Sequence, residues 1–201
     1  MAGRALRLLA PLATVSPVAV DKLPDDVAPY SAVALVTQRP CPEVAASLHE
    51  RCWTARVPWC EATLLAHEFR VGPAVLAGTT PCYECFRRRV RSQTKDVVAH
   101  DLLEYLARHT TGSWFQGELP ALNEQVAALL AAEVVALATN AYVWPGRHLG
   151  RFWEGDAVYG ELRAHVFARV GRCNRCGAAA RGDQTDRLAA FFEKRVVRWP
   201  A

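Results

Sequence analysis

The prediction of the fold rests on residues Val71 to Cys85, Val-Gly-Pro-Ala-Val-Leu-Ala-Gly-Thr-Thr-Pro-Cys-Tyr-Glu-Cys, which end in a Cys-x-x-Cys pair. A second pair, Cys173-Asn-Arg-Cys176, lies 87 residues further on and is followed by Gly177. Two such pairs supply four thiolates, which is the ligand set of a tetrahedral structural Zn²⁺. The alternative is that each pair forms a redox-active dithiol or a disulfide. We predict a zinc site at Cys82, Cys85, Cys173 and Cys176.

The spacing of the two pairs indicates what such a metal does. In a compact zinc ribbon the pairs are separated by about 15–20 residues, whereas 87 residues lie between Cys85 and Cys173 here. A metal bound by both pairs therefore joins the end of a larger domain to its middle. The chain-entropy cost of closing such a loop grows only slowly with its length. Four protein ligands leave no open coordination position, so we expect the Zn²⁺ to be structural.

The composition is that of a soluble globular domain, with 201 residues, 51% hydrophobic and 22% charged. It excludes a disordered chain, a collagen and a coiled coil. The net charge of +4 is too small to indicate nucleic-acid binding by itself. We find no uncharged apolar run of about 18 residues and expect no membrane association. Reduced zinc-binding thiols favour a cytoplasmic location.

Hydrophobic periodicity predicts an α/β fold. Two apolar runs, 31–37 and 57–65, flank a helix over 42–55, which is the pattern of two parallel strands joined by a helix. Further strands are predicted at 15–20, 69–77 (kinked at Gly72-Pro73), 150–153 and 157–167. Further helices are predicted at the N-terminus and over 96–108, 121–139 and 183–199; the one that Pro120 opens is apolar on nearly all sides and is expected to be buried.

These motifs, taken as a set, resemble the zinc-knuckle region of ThiF-type, ubiquitin-activating-enzyme-like proteins. They are more similar to the ThiF-like partner proteins of YcaO-type cyclodehydratases, which serve in making thiazole- and oxazole-containing peptides. The matching positions are Gly72, Pro73, Gly78, Thr80, Cys82, Cys85, Arg87, Arg88, His165 and the Cys-x-x-Cys-Gly segment at 173–177. The resemblance covers roughly residues 15–178. It implies a truncated ThiF/Rossmann-like sheet with a C-terminal zinc-stapled subdomain, divided into a tail (1–14), a domain (15–180) and a C-terminal helix (181–201).

Departures from the family pattern bear on the activity that the resemblance implies. ThiF-type enzymes adenylate a carboxylate and cradle ATP with a Gly-rich loop, but the sequence contains no G-x-G-x-x-G. Where the family carries an acidic residue for Mg²⁺, after the strand at 31–37, this chain has Thr37-Gln38-Arg39-Pro40. We therefore expect a non-catalytic scaffold or substrate-presenting subunit in ribosomal-peptide biosynthesis. The alternatives are an adenylating enzyme completed by a partner chain and a zinc-containing nucleic-acid-binding protein.

The expected partners follow from the same resemblance. They are a YcaO-type cyclodehydratase and a precursor peptide. The family's N-terminal winged-helix module is not found, so a separate leader-binding protein would hold the peptide. A homodimer is a further possibility, and nucleic acid is not an expected partner. The candidate contact residues are three arginines and three aromatic residues of loops: Arg87, Arg88, Arg91, Trp114, Phe115 and Trp144. The alternative for the arginines is a solvated helix face, and the alternative for the aromatic residues is ordinary packing.

Several other polar and thiol groups have both a functional and a purely structural interpretation. His100, Asp101 and Glu104 at helical spacing could bind a metal, but a solvated helix face is the preferred interpretation. Glu61, His67 and Glu68 stand near a strand end where acid–base chemistry is possible, against ordinary polar residues of a sheet edge. Cys60 has no cation nearby in the sequence, which favours an inert buried thiol. Cys41, Cys52 and Cys60 are assigned no role.

Overall fold

A computed structural model describes residues 2–109, 119–139 and 149–177. Trp114, Phe115, Trp144 and the predicted helix over 183–199 lie outside the described residues. The helices are α1 (Ala2–Leu9), α2 (Pro42–Ala55), α3 (Tyr83–Gln93), α4 (Val97–His109) and α5 (Pro120–Ala138). The strands are β1 (Val33–Thr37), β2 (Trp59–Leu65), β3 (Glu68–Val71), β4 (Leu149–Asp156) and β5 (Glu161–Ala168). The predicted α/β class is confirmed.

The unit of β1, α2 and β2 forms as its sequence predicts. Pro42 occupies the first turn of α2, where its fixed φ suits a helix start, and Arg56 ends the helix in the left-handed conformation with φ 57°. β1 and β2 pair in parallel, with Val33 opposite Trp59 and Thr37 opposite Thr63. The carboxyl ends of these two strands therefore lie side by side.

The strand predicted at 15–20 is wrong. Residues 14–19 have no regular structure, and a short 3₁₀ helix follows at Val20–Lys22. The apolar residues of this run do not enter the core, since Val18 and Val20 are exposed. Pro17 also lacks the N–H that a sheet ladder needs. A β-like composition alone therefore does not produce a strand here.

The remaining strands are antiparallel, and the sheet has the order β1-β2-β3-β4-β5. Within the described residues it is thus a mixed sheet with one parallel pair. The strand predicted over 69–77 ends at Val71, and beyond it only Val75 bridges to Trp59. The chain leaves the sheet at Gly72, whose φ is 104° and where a Cβ would lie 2.9 Å from the Phe152 backbone. Only glycine fits that approach.

Helices cover both faces of the sheet. Alternate residues of β2 point to opposite faces, so Cys60, Ala62 and Leu64 meet α1 and α5, while Trp59 packs with residues of α2 and α3. The second cluster also contains Phe86, Phe152 and Phe167. Glu61 and Thr63 share the face of Trp59 by the same alternation. The side of the sheet that carries α3 is therefore the side on which the cysteine pairs meet.

Helix α5 has 19 residues and a mean hydropathy of 1.5 over its most apolar 18-residue window. By length and composition alone it is apolar enough to cross a membrane. Within this fold its buried residues form one stripe, including Val126 and Leu130, which packs against β2 and β3. Its bounds match the prediction, but burial on all sides was not found, since Ala121, Ala128 and Ala132 are exposed.

Candidate metal centre

The two Cys-x-x-Cys pairs come together into one buried cluster of four sulfur atoms, all within 4.8 Å of one another. The Sγ–Sγ distances are 3.8 Å for Cys82–Cys85, 3.5 Å for Cys82–Cys173 and 3.3 Å for Cys85–Cys176. Four sulfurs around a Zn²⁺ at its usual bond length of about 2.3 Å lie about 3.8 Å apart. The cluster therefore has the size and the donor set of a tetrahedral zinc–thiolate centre. None of the four cysteines forms a disulfide.

Local structure explains how each pair presents both sulfurs to one point. Cys82 immediately precedes α3 and Cys85 lies in its first turn, so a spacing of three residues places both on one helix face. The second pair forms a tight turn closed by the bond from Gly177 N–H to the Cys173 carbonyl, 2.8 Å. A Cβ at position 177 would lie 2.5 Å from that carbonyl oxygen. The turn therefore requires glycine.

Backbone donors already point at the sulfurs. The N–H of Cys82 donates to Cys176 Sγ at 3.4 Å, and the N–H of Val170 donates to Cys85 Sγ at 3.3 Å. Hydrogen bonds to a sulfur favour its thiolate form. Side-chain hydrogen bonds from Cys82 and Cys85 lower the pKa of Cys176 to about 4, and the bonds it makes raise the pKa of Cys82. A divalent cation would stabilise the charge of all four thiolates.

An arginine that has no distinguishing signal in the sequence, Arg169, links the two pairs. Arg169 follows β5, and its Nη2 lies 3.2, 2.7 and 3.0 Å from the carbonyl oxygens of Gly78, Thr79 and Thr80. These carbonyls belong to the turn that leads into Cys82. A second link joins Arg175, inside the second pair, to Glu50 of α2. The cluster is thus held by polar contacts on both sides, and only the folded arrangement of β5 and α3 reveals them.

Two of the three arginines predicted to contact a partner are neutralised by α4. Arg87 Nη2 lies 2.8 Å from Glu104, and Arg91 forms two bonds with Asp101, of 3.0 and 2.8 Å. Arg88 is exposed and has no ion pair within the described ranges. The preferred interpretation of the acidic residues as a merely solvated helix face is wrong for Glu104, which is half-buried and turned towards α3.

The outward face of α4 is apolar. Its exposed side chains include Val98 at 78% and Leu102 at 53%, and the same face carries Leu103, Tyr105 and Leu106. The side turned towards α3 carries Asp101 and Glu104. The polarity of this helix is therefore the reverse of that of an ordinary surface helix, whose charged face is the one in water.

The other groups that the sequence singled out are separated by the fold. Glu61 is buried in β2, 3.7 Å from Arg70 of β3, and burial raises its pKa to about 7. His67 and Glu68 lie at the β2–β3 turn beside Asp156, and one ligand atom of each lies within 4.8 Å of the others. Cys60 is fully buried and burial raises its pKa, which fits an inert thiol.

Comparison with known proteins gives matches in structure only. No family model and no curated protein matches the sequence. A structure described as a heterocyclase in complex with substrate and cofactor has a TM-score of 0.61 and 15% identity, and covers 88% of this chain and 23% of its own. MccB of E. coli with MccA-N7isoASN has a TM-score of 0.51 and 18% identity, with 73% and 40% covered. The Microcin C7 biosynthetic enzyme MccB with N-formylated MccA gives 0.52 and 17%, with 73% and 41% covered.

At these identities the similarity shows the fold alone. Over the aligned part, the chain shares its fold with MccB and with the heterocyclase. It spans about two fifths of the length of MccB and under a quarter of the heterocyclase.

Proposed function

We propose that this protein is a non-catalytic subunit of a peptide-modifying complex, which scaffolds a YcaO-type cyclodehydratase or presents its precursor peptide during azoline formation. Its fold is shared with a heterocyclase whose structure contains substrate and cofactor, and with MccB, whose structure contains MccA-N7isoASN. The motif set at 72–88 supports the same class of proteins. We place the complex in the cytoplasm, where thiolates stay reduced.

The observation that carries a binding role is the apolar outward face of α4. Two salt bridges, Arg87–Glu104 and Arg91–Asp101, fix the polar side of this helix against α3, so that Val98 and Leu102 are exposed on its other side. Exposing a row of large apolar side chains costs free energy unless another surface covers them. A protein interface is the usual cover for such a row.

The edge of the sheet supports the same proposal. Within the described ranges β1 pairs only with β2, and Ala34 on it is exposed. An unpaired edge strand is a template for another chain. A second copy of this protein or the cyclodehydratase would cover it.

Zinc enters this proposal as a structural ion. Cys82, Cys85, Cys173 and Cys176 would hold it, and a full set of four thiolates leaves no coordination position for a substrate. The metal would fix the turn after β5 to the start of α3, and with it the helix pair of α3 and α4. The binding surface would therefore depend on the metal without containing it.

One experiment distinguishes the scaffold role from the alternative, an adenylating enzyme. The tagged chain is co-expressed with a cyclodehydratase and the precursor peptide of the same cluster, and the purified assembly is assayed for azoline formation and for ATP–pyrophosphate exchange. We expect a stable complex and faster azoline formation, with exchange absent when the cyclodehydratase is omitted. A well-behaved monomer that co-purifies with neither protein would contradict the scaffold role. Exchange by this chain with the leader-binding protein alone would establish the enzyme instead.

A further inference from the structure

Three residues around one small cavity each have a buried polar atom with no hydrogen-bond partner within the described part of the chain. The atoms are Glu61 Oε1, Arg70 Nε and Arg87 Nε. Glu61 belongs to β2, Arg70 to β3 and Arg87 to α3, and all three residues line the same cavity. A buried polar atom without a partner has lost its hydration and gained no hydrogen bond in return, which is unfavourable. One acceptor and two donors left unpaired at one place mark a polar site.

The Glu61 carboxylate is held in place rather than free to turn to water. Its side chain is 6% exposed, and Arg70 Nη2 lies 3.7 Å from Oε1, within ion-pair range but too far for a hydrogen bond. The Arg70 guanidinium in turn rests on the ring of Phe86, 5.0 Å from its centroid. Arg87 is fixed by Glu104. Packing and ion pairs therefore hold the side chains of Glu61, Arg70 and Arg87 in place around the cavity.

The size of the cavity limits what can fill it. It measures about 40 Å³, and a water needs about 10–15 Å³ on this measure, so a group of about three non-hydrogen atoms fits. Arg87, His100 and Glu104 also line a larger cleft of about 440 Å³ between α3 and α4. The small cavity thus adjoins a cleft large enough for a short stretch of peptide.

We propose that this cavity binds a primary carboxamide, the side-chain end of a glutamine or asparagine in a peptide that lies along the cleft between α3 and α4. A carboxamide has three non-hydrogen atoms, with an NH₂ donor and a carbonyl acceptor side by side. The NH₂ group donates to the carboxylate of Glu61, and the carbonyl oxygen accepts from the guanidinium groups of Arg70 and Arg87. The assignment of a peptide as the ligand rests on the proposed function. The assignment of a carboxamide site does not depend on it.

Other small ligands fit the charges less well. A metal cation would face the guanidinium groups of Arg70 and Arg87. A carboxylate would satisfy the arginines but would leave Glu61 facing a like charge whenever Glu61 is ionised. A carboxamide carries no net charge and satisfies donor and acceptors together. Discrimination between an amide and a carboxylate of the same shape is therefore the signature of this site.

The test uses the full zinc-loaded chain, isotopically labelled, with propionamide and propionate as probes in NMR titrations at pH 8. We expect saturable shifts at the signals of Glu61 and Arg70 with propionamide, and binding of propionate at least tenfold weaker. Glu61→Gln keeps an acceptor and adds a donor without charge, so the amide preference falls below threefold. Arg163→Gln, at an exposed arginine of β5 outside both the cavity and the cleft, leaves the binding of both probes unchanged. Zinc content and near-ultraviolet circular dichroism confirm that each variant is folded.

A capped tripeptide with a central glutamine separates a peptide from a free amide as the source. We expect it to bind at least tenfold more tightly than propionamide, because the cleft contacts its backbone. Equal affinities would refute the peptide and leave a site for small amides. No saturable shift with either probe, or equal binding of propionamide and propionate, would overturn the site itself. These titrations do not test whether the chain binds a cyclodehydratase, which the co-purification experiment measures.

Discussion

At the scale of one residue, Glu61 shows that the fold places a side chain in an environment that the neighbouring sequence does not predict. The segment Trp59-Cys-Glu-Ala-Thr63 is predicted and found to be a strand, and its period of two puts Glu61 on the side of the sheet that α3 covers. The carboxyl is buried because α3 and β3 bring Arg70 and Arg87 to it. Sequence periodicity predicts the strand, but the identity of the facing residues depends on long-range packing.

Burial of Glu61 makes a prediction about pH. Its pKa in the fold is about 7, raised by loss of hydration and only partly offset by Arg70, against a usual value of 4.5. The folded state therefore holds this proton more tightly than the unfolded chain does. The resulting stability is complete below about pH 4.5 and is lost as the pH rises towards 7. We expect Glu61→Gln to gain stability relative to the natural chain over this range, by up to about 3 kcal/mol.

Urea unfolding of both forms at pH 5, 6, 7 and 8 with zinc present measures this difference. Both carry the same cysteine cluster, so its own pH dependence cancels in the comparison. Parallel curves of unfolding free energy against pH for the two forms would mean that Glu61 titrates normally, and would contradict the account of its burial.

At the scale of elements, local sequence signals predict most helices and strands. They fail where the formation of a strand depends on pairing with another strand. The helices at 42–55, 96–108 and 121–139 are found within a residue or two of their predicted bounds, because their signals are local. The run at 15–20 has strand-like residues but no partner strand. Local sequence does not predict whether the strands after β2 pair in parallel or antiparallel. That depends on whether the connecting segment forms a hairpin or a crossover.

Helix α4 is the element whose role depends on its orientation. The sequence around Val97–His109 predicts a helix, but only the salt bridges to α3 determine that Val98 and Leu102 face outward. We expect Leu102→Lys to leave the zinc content and fold intact, because the residue is exposed. The same change should weaken binding to the cyclodehydratase at least tenfold, because a charge would enter an apolar interface.

The matched control is Val158→Lys, an exposed apolar residue at the β4–β5 turn, on a different element. Its affinity for the partner should equal that of the natural chain in surface plasmon resonance. Equal affinity for all three forms would exclude the outward face of α4 from the interface. A loss confined to Leu102→Lys is the expected result.

At the scale of the whole molecule, the cysteine pairs join parts of the chain that lie far apart in sequence. The four ligand positions are predictable because their spacing is a local signal within each pair, and the structure brings both pairs to one point. The supporting contacts, such as Arg169 on the turn before Cys82, are not predictable, because they arise from the return of β5 to α3. Metal binding to such a cluster contributes directly to the free energy of folding.

The most direct test of this account is the metal content of the freshly purified protein. We expect one Zn²⁺ per chain by inductively coupled plasma mass spectrometry, held by Cys82, Cys85, Cys173 and Cys176. Cys173→Ser should lose the metal and unfold at lower urea concentration, whereas Cys52→Ser, outside the cluster, should keep the metal. Less than about half an equivalent of zinc in the natural chain, or a full equivalent retained by Cys173→Ser, would contradict a four-cysteine zinc centre that closes the domain.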